Sequence, residues 1–192
     1  IFLSSAGTLY PQDKEYKYKE CDEIEIRNSY GKQKFIAEQL LNNFSKENNI
    51  ELSILRIASA YGFDSRFGDQ GVINKWIYYT MINKRLTLYN SLKSKINFVS
   101  FDQISVAINY CINNKVEGIY NIGANISLTL EEILEEIKKL SNKDFEIDYV
   151  NSNYRNFNID TSKFFKKSGI LFESNLKKDM KVIFKLIETR LQ

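Results

Sequence analysis

The 192-residue chain has no histidine, one proline, one tryptophan, two cysteines and eight glycines. Each scarcity closes off a chemistry. Without an imidazole, this chain can form neither a Ser-His-Asp nor a Cys-His catalytic group, so acid–base work falls to tyrosine, lysine or carboxylates. Cys21 and Cys111 lie far apart, with no metal-ligand spacing and no histidine to complete a zinc set. They read as ordinary thiols of a reducing compartment, and no metal site is expected. No run of about 18 apolar residues is present, which excludes a membrane-spanning helix. The net charge of +3 comes from interleaved acids and bases, not from a clustered basic stripe. Nucleic acid is therefore not an expected partner, whereas mild positive charge suits a small anionic ligand.

What is present suffices for a core, since 43% of the residues are apolar and 27% charged. Ile1-Phe2-Leu3-Ser4-Ser5 reads as a buried strand, and the chain opens on it as though cut from the middle of one. A turn-rich, polar stretch runs through Pro11 to about Asn28. From Ser29 to about Asn48, apolar Phe35, Ile36, Leu40, Leu41 and Phe44 recur at helical spacing, with Ser29 as the capping residue. Leu52 to Ala58 reads as a short buried strand. Strand, helix and strand in that order predict a parallel α/β sheet. Further on, helices are expected over Val72–Asn83, Ile104–Asn113, Leu130–Leu140 and most of Phe172–Gln192. Strands are expected at Leu86–Tyr89, Asn97–Phe101 and Gly118–Gly123. Thr129 and Glu132 have the spacing of a capping box.

The chemistry rests on Tyr30-Gly31-Lys32-Gln33-Lys34. Four residues apart on a helix, Tyr30 and Lys34 share one face. An ammonium beside a phenol favours the phenolate and makes it a usable general base. The motif by itself is unspecific. With 12 Tyr and 21 Lys in the chain, about one Tyr-x-x-x-Lys is expected by chance, and three occur. Tyr10/Lys14 is broken by Pro11 and Tyr89/Lys93 falls in a loop, whereas Tyr30 opens an amphipathic helix.

Four segments in order give the motif its context: Phe2-Leu3-Ser4-Ser5-Ala6-Gly7-Thr8-Leu9-Tyr10, Ser29 to Lys34 with Ala37-Glu38, Leu55-Arg56-Ile57-Ala58-Ser59-Ala60-Tyr61-Gly62, and Gly68-Asp69-Gln70-Gly71-Val72-Ile73. Weaker echoes follow in Phe98 to Ile104, Tyr120 to Gly123 and Ile159 to Lys163. Over nearly its whole length the chain resembles the extended short-chain dehydrogenases of the nucleotide-sugar epimerase/dehydratase type, in particular UDP-glucose 4-epimerase and its relatives.

That resemblance implies the second half of a Rossmann-type, doubly wound α/β fold over residues 1–62. Residues 63–192 would be mainly a substrate-binding subdomain, with about 96–123 returning to the sheet. It implies an NAD cofactor (NADP remaining open), a nucleotide-sugar substrate, a cytoplasmic location, and a homodimer packed through the Tyr30 helix and the region before it. Tyr30 would be the base at the sugar 4-hydroxyl, and Lys34 would hold the nicotinamide ribose. Ser4, Ile57 and Ala58 would complete the cofactor side. Ser59, Gln70, Gly71, Val72 and Tyr89 would face the nucleotide-sugar.

Several positions depart from the family pattern. Ala6 stands where relatives carry a Ser or Thr that bonds the reacting oxygen, leaving Ser5 or Thr8 to substitute. Ser59 replaces an Asn. Ile96 replaces the Arg used on the substrate diphosphate, leaving Lys95 or Arg155 to supply the charge, though a lysine lacks the bidentate fork. No Gly-x-x-Gly-x-x-Gly turn, the cradle of a dinucleotide, occurs in the chain, and the strands that carry it would precede Ile1. By itself the chain is thus expected to be inactive. The reading is an NAD-dependent nucleotide-sugar 4-epimerase. A 4,6-dehydratase or 4-ketoreductase is the alternative, the former disfavoured because Gly7-Thr8 replaces Asp-Glu. A non-catalytic binding module that keeps the fold is the alternative of another class.

Overall fold

The structure is a computed structural model and describes residues 1–13, 15–62, 71–150 and 154–191. The chain begins with β1 (Phe2–Ser5), α1 (Ser29–Asn48) and β2 (Ser53–Ile57). β1 and β2 pair in parallel, as a crossover helix requires, and β2 then pairs in parallel with β6 (Gly118–Ile122). All five residues of β2 are buried, the pattern of a strand covered on both faces. Directly after Ala58 the chain forms β3 (Ser59–Tyr61), which leaves this sheet and pairs with β5 (Lys95–Ser100). β5 also pairs with β7 (Ser127–Thr129) and β9 (Asn156–Phe157). A small parallel pair, β4 (Leu86–Leu88) and β8 (Ile147–Tyr149), lies apart from both.

The remaining helices are α2 (Val72–Met81), α3 (Phe101–Asn113), α4 (Leu130–Ser141), α5 (Ser162–Ser168) and α6 (Leu176–Leu191). Two apolar cores result. One joins Leu55, Val99, Ile104, Ala107, Ile122 and Phe164 around the β1-β2-β6 sheet. The other joins Trp76, Ile77, Leu88, Ile133, Ile137, Met180 and Ile183 beneath α2, α4 and α6. Ile96, on β5, packs against both.

Three local readings are corrected. α1 is capped by Asn28, not Ser29: Gly31 N–H donates to Asn28 Oδ1 at 2.8 Å, and Ser29 is already helical. Phe101 begins α3 instead of ending β5, because Ser100 and Gln103 form a capping box there. The apolar residues that mark α1 as a helix are not its buried face. Leu40 and Phe44 are 64% and 54% exposed, while the residues α1 buries are Gly31 and Glu38. A small residue and an ion-paired one meet the sheet, while Ile36, Leu40 and Phe44 face out and Phe35 and Leu41 are half-buried.

Candidate active site

Gly31 determines how closely α1 approaches the segment after β1. A Cβ built on Gly31 would stand 2.6 Å from the carbonyl oxygen of Thr8, closer than real carbon–oxygen contacts. The contact brings Tyr30 and Lys34 over the C-terminal end of β1. Lys34 Nζ donates to the Leu3 carbonyl at 2.8 Å and lies 5.5 Å from the centroid of the Tyr30 ring and 5.0 Å from that of Phe2. An ammonium has three donors. One is spent on Leu3, which fixes the charge beside the phenol and leaves donors for a ligand. The Tyr30 ring itself is 52% exposed.

Both side chains line a cavity of about 510 Å³ with Ser4, Ser5, Ile57 and Ala58. Apart from Ser5, expected as a substitute for Ala6 at the reacting oxygen, these are the residues expected on the cofactor side, brought together from β1, α1 and the end of β2. Ser4 Oγ is a buried oxygen without a hydrogen-bond partner, on a residue only 4% exposed. Sequence reasoning missed the far wall, formed by Phe101, Ile104 and Ser105 of α3. The periodicity of α3 had marked it as a helix, but not which neighbour it would cover.

A second cavity, of about 400 Å³, gathers Ser59, Gly71, Val72 and Tyr89, all expected on the substrate side, with Trp76, Asn90, Ile96 and Phe98. Gly71 holds φ 76°, a left-handed conformation in which a Cβ would be strained. Ile96, standing where a diphosphate-binding Arg was expected, is part of this lining.

Other candidates lie elsewhere. Thr8 is tucked against Gly31 behind α1 and lines neither cavity, and its Oγ1 is buried without a partner. Lys95 and Arg155 are neighbours: Lys95 N–H donates to the Arg155 carbonyl and Arg155 N–H to Ser94 Oγ, both at 3.0 Å. Neither lines either of these two cavities. Successive residues of a strand face opposite ways, so with Ile96 turned to the second cavity, Lys95 is turned from it. Gln70 lies outside the described residues.

A buried ionic network beneath the site had no counterpart in the sequence reading. Arg56 on β2 donates from Nη2 to Glu38 Oε2 at 2.8 Å and from Nε to Oε1 at 3.1 Å. It also donates from Nη1 to Tyr10 OH at 2.9 Å, and Tyr10 OH donates to Asn121 Oδ1 at 2.9 Å. Burial pushes the Tyr10 phenol up to about 12, against the opposing pull of the Arg56 charge. The signal available was an arginine inside the apolar run Leu55-Arg56-Ile57, since a charge in a buried strand requires a partner. Cys21 is an exposed and Cys111 a buried free thiol. Among the described residues, no three His, Cys, Asp or Glu side chains cluster as a metal site, and no helix is long and apolar enough to cross a membrane.

Residues 1–123 match the model of the NAD dependent epimerase/dehydratase family. The chain is 30% identical over 160 residues to a dTDP-4-dehydro-6-deoxyglucose reductase of Escherichia coli, covering 82% of this chain and 50% of that protein. It is 26% identical over 156 residues to UDP-glucuronic acid decarboxylase 6 of Arabidopsis thaliana, covering 78% and 45%. The chain thus spans about half the length of these curated relatives. Its fold superposes on the crystal structure of a UDP-glucose 4-epimerase with UDP-glucose from Thermotoga maritima, with a TM-score of 0.88 at 20% identity, covering 100% of this chain and 63% of that one. The expected Rossmann-like α/β architecture is therefore the one found.

Proposed function

Because the chain belongs to the NAD dependent epimerase/dehydratase family, we propose that it supplies the catalytic and substrate-binding part of a nucleotide-sugar 4-epimerase. Residues 1–62, with β6 returning to their sheet, form the cofactor-facing part in this reading, and most of 63–192 the substrate-binding part. One observation carries it: Tyr30 and Lys34 share a cavity with Ser4, Ser5, Ile57 and Ala58, beside a second cavity holding Ser59, Gly71, Val72 and Tyr89.

The residues present fit a nicotinamide. Ser4, whose Oγ has no hydrogen-bond partner, is part of the first cavity's lining, and Lys34 keeps donors free for ribose hydroxyls. When bound, the nicotinamide supplies the acceptor, and then the donor, of hydride at the sugar C4. Tyr30 removes the proton of the 4-hydroxyl as that carbon is oxidised and returns it when the carbon is reduced from the other face. Lys34, anchored on the Leu3 carbonyl, sets its charge beside the Tyr30 ring, 5.5 Å from its centroid. Ser5 stands in the same cavity and takes the hydrogen-bonding place that Ala6 leaves empty, and Ile57 and Ala58 form apolar parts of its wall. Ser59, Gly71, Val72 and Tyr89 hold the nucleotide-sugar. A homodimer belongs to the same reading, supported by the apolar Ile36, Leu40 and Phe44 that α1 leaves exposed.

The test is turnover by the full-length protein with NAD on UDP-glucose and UDP-N-acetylglucosamine. The galacto epimer should form without net consumption of NAD, and Tyr30→Phe should lower kcat by about 10²–10⁴-fold, the range of general acid–base catalysis. A 4-ketoreductase is the second reading, favoured by the 30% identity to the reductase. It would instead consume reduced nicotinamide in proportion to a 4-keto sugar. Absence of any turnover, with nucleotide-sugar binding unaffected by Tyr30→Phe, would leave only a binding module.

A further inference from the structure

α1 meets the sheet along one narrow stripe. Gly31, Lys34 and Glu38 follow at steps of three and four residues and share a face of the helix, and the two that flank Lys34 are the residues α1 buries. Lys34 Nζ reaches the Leu3 carbonyl of β1 at 2.8 Å, and one turn later Glu38 meets Arg56 of β2. Arg56 stands in register with Ser4, the residue after Leu3, so the two anchors fall side by side on neighbouring strands. They differ in firmness. The Lys34 side chain is long and only half-buried, and the contact of Gly31 with Thr8 limits the approach of the helix without fixing its rotation. Glu38, in contrast, is gripped by two donors of one planar guanidinium. That guanidinium is held in turn by Tyr10 OH at 2.9 Å and the Glu20 carbonyl at 3.2 Å, both accepting from Nη1. A rigid fork bonded on both sides has little freedom to turn.

We propose that Glu38 and Arg56 are the positioning residues of the site. Buried and lining neither of the two cavities, they hold α1 at the rotation that keeps the Lys34 ammonium on the Leu3 carbonyl and beside the Tyr30 ring. Without the pair the helix rolls, and Lys34 leaves its carbonyl while the fold persists. The effect on turnover rests on the function proposed above, whereas the effect on Lys34 rests on this geometry alone.

The experiment uses the full-length protein, unsubstituted, as Glu38→Gln, and as Glu38→Leu with Arg56→Met, which leaves no buried charge alone. Acetylation by acetic anhydride, read lysine by lysine in the mass spectrometer, reports Lys34 directly. Lys163 is the internal control, because its ammonium is likewise bonded to a strand carbonyl, that of Ile119 at 2.7 Å, and lies over the Tyr120 ring. In both variants Lys34 should label about ten-fold faster, the loss of one hydrogen bond from a charged donor, with Lys163 unchanged. In the double variant kcat on UDP-glucose should fall about 10²-fold with KM within about two-fold, as for a displaced catalytic group, although thermal unfolding stays near that of the unsubstituted protein. Glu38→Gln keeps the comparison decisive if the double variant does not fold. Equal acceleration at Lys34 and Lys163, or unaltered Lys34 labelling in a folded variant, would overturn the positioning role, as would a double variant with undiminished kcat. Absence of turnover by the unsubstituted protein would overturn the proposed function instead, and the labelling comparison would still decide this inference.

Discussion

Glu38 and Arg56 form a buried two-pronged ion pair that joins α1 to β2 beneath the candidate site, with side chains 0% and 4% exposed. Tyr30, Lys34 and Glu38 succeed one another at four-residue steps, so the pair fixes the rotation of the helix about the same face that carries the proposed base. Removing one partner leaves a buried charge without compensation. Glu38→Ala should therefore destabilise the protein by about 3–5 kcal/mol, whereas Glu38→Leu with Arg56→Met should cost markedly less. Urea unfolding of both variants measures the difference. Equal losses would show that the charges themselves contribute little.

Gly31→Ala should cost stability and activity together. The added methyl would meet the Thr8 carbonyl at 2.6 Å, and the helix must move outward, at about 1–3 kcal/mol by analogy with overpacked cores. In other helices the same substitution stabilises by up to about 1 kcal/mol. A rise in Tm for Gly31→Ala would thus contradict the close approach described here.

Ser4→Ala separates ligand binding from folding. Ser4 Oγ makes no hydrogen bond in the ligand-free chain, so its removal should leave stability within about 0.5 kcal/mol of the original or raise it slightly. Cofactor affinity of the full-length protein should fall roughly five- to ten-fold, about one neutral hydrogen bond. Fluorescence titration with NAD(H) reads the second effect and thermal unfolding the first. Unaltered affinity would remove Ser4 from the cofactor side.

Alkaline pH should destabilise the fold through Tyr10. Burial raises its folded-state value from 10.0 to about 12, so between those limits the folded chain binds more protons than the unfolded one. Stability is then fully present below about pH 10 and is lost as pH rises toward 12, at about 1.4 kcal/mol per unit of difference. Tyr61 is raised as well, by burial and by its hydrogen bond to Asp179, and adds a loss of the same sign. Tyr10→Phe should flatten the curve of unfolding free energy against pH over this window. An unchanged slope would assign the alkaline loss to other groups.

Much of the local structure was legible in the residues because its causes are local. The Thr129–Glu132 capping box starts α4 where its spacing predicted, and β4 and α2 begin at the expected Leu86 and Val72. β3, β7, β8 and β9, none longer than three residues, were not foreseen. So short a strand owes its form to a partner distant in sequence, not to its own pattern. The same holds for α5, seven residues long, which is buried through Phe164 alone.

For the site, the sequence by itself determined which groups could do chemistry: a tyrosine and a lysine four residues apart, in a chain without histidine, ahead of a buried strand ending at Ala58. Tertiary structure decided which of the remaining candidates stand with them. It set Ser4 and Ser5 in the cavity and Thr8 behind the helix, turned Ile96 inward and left Lys95 and Arg155 aside. It also gave Arg56 its partner in Glu38. The division has a physical cause. Helical spacing and caps are set within four residues along one chain segment, whereas the face a strand residue shows, and the charge it meets, depend on segments that only folding brings alongside it.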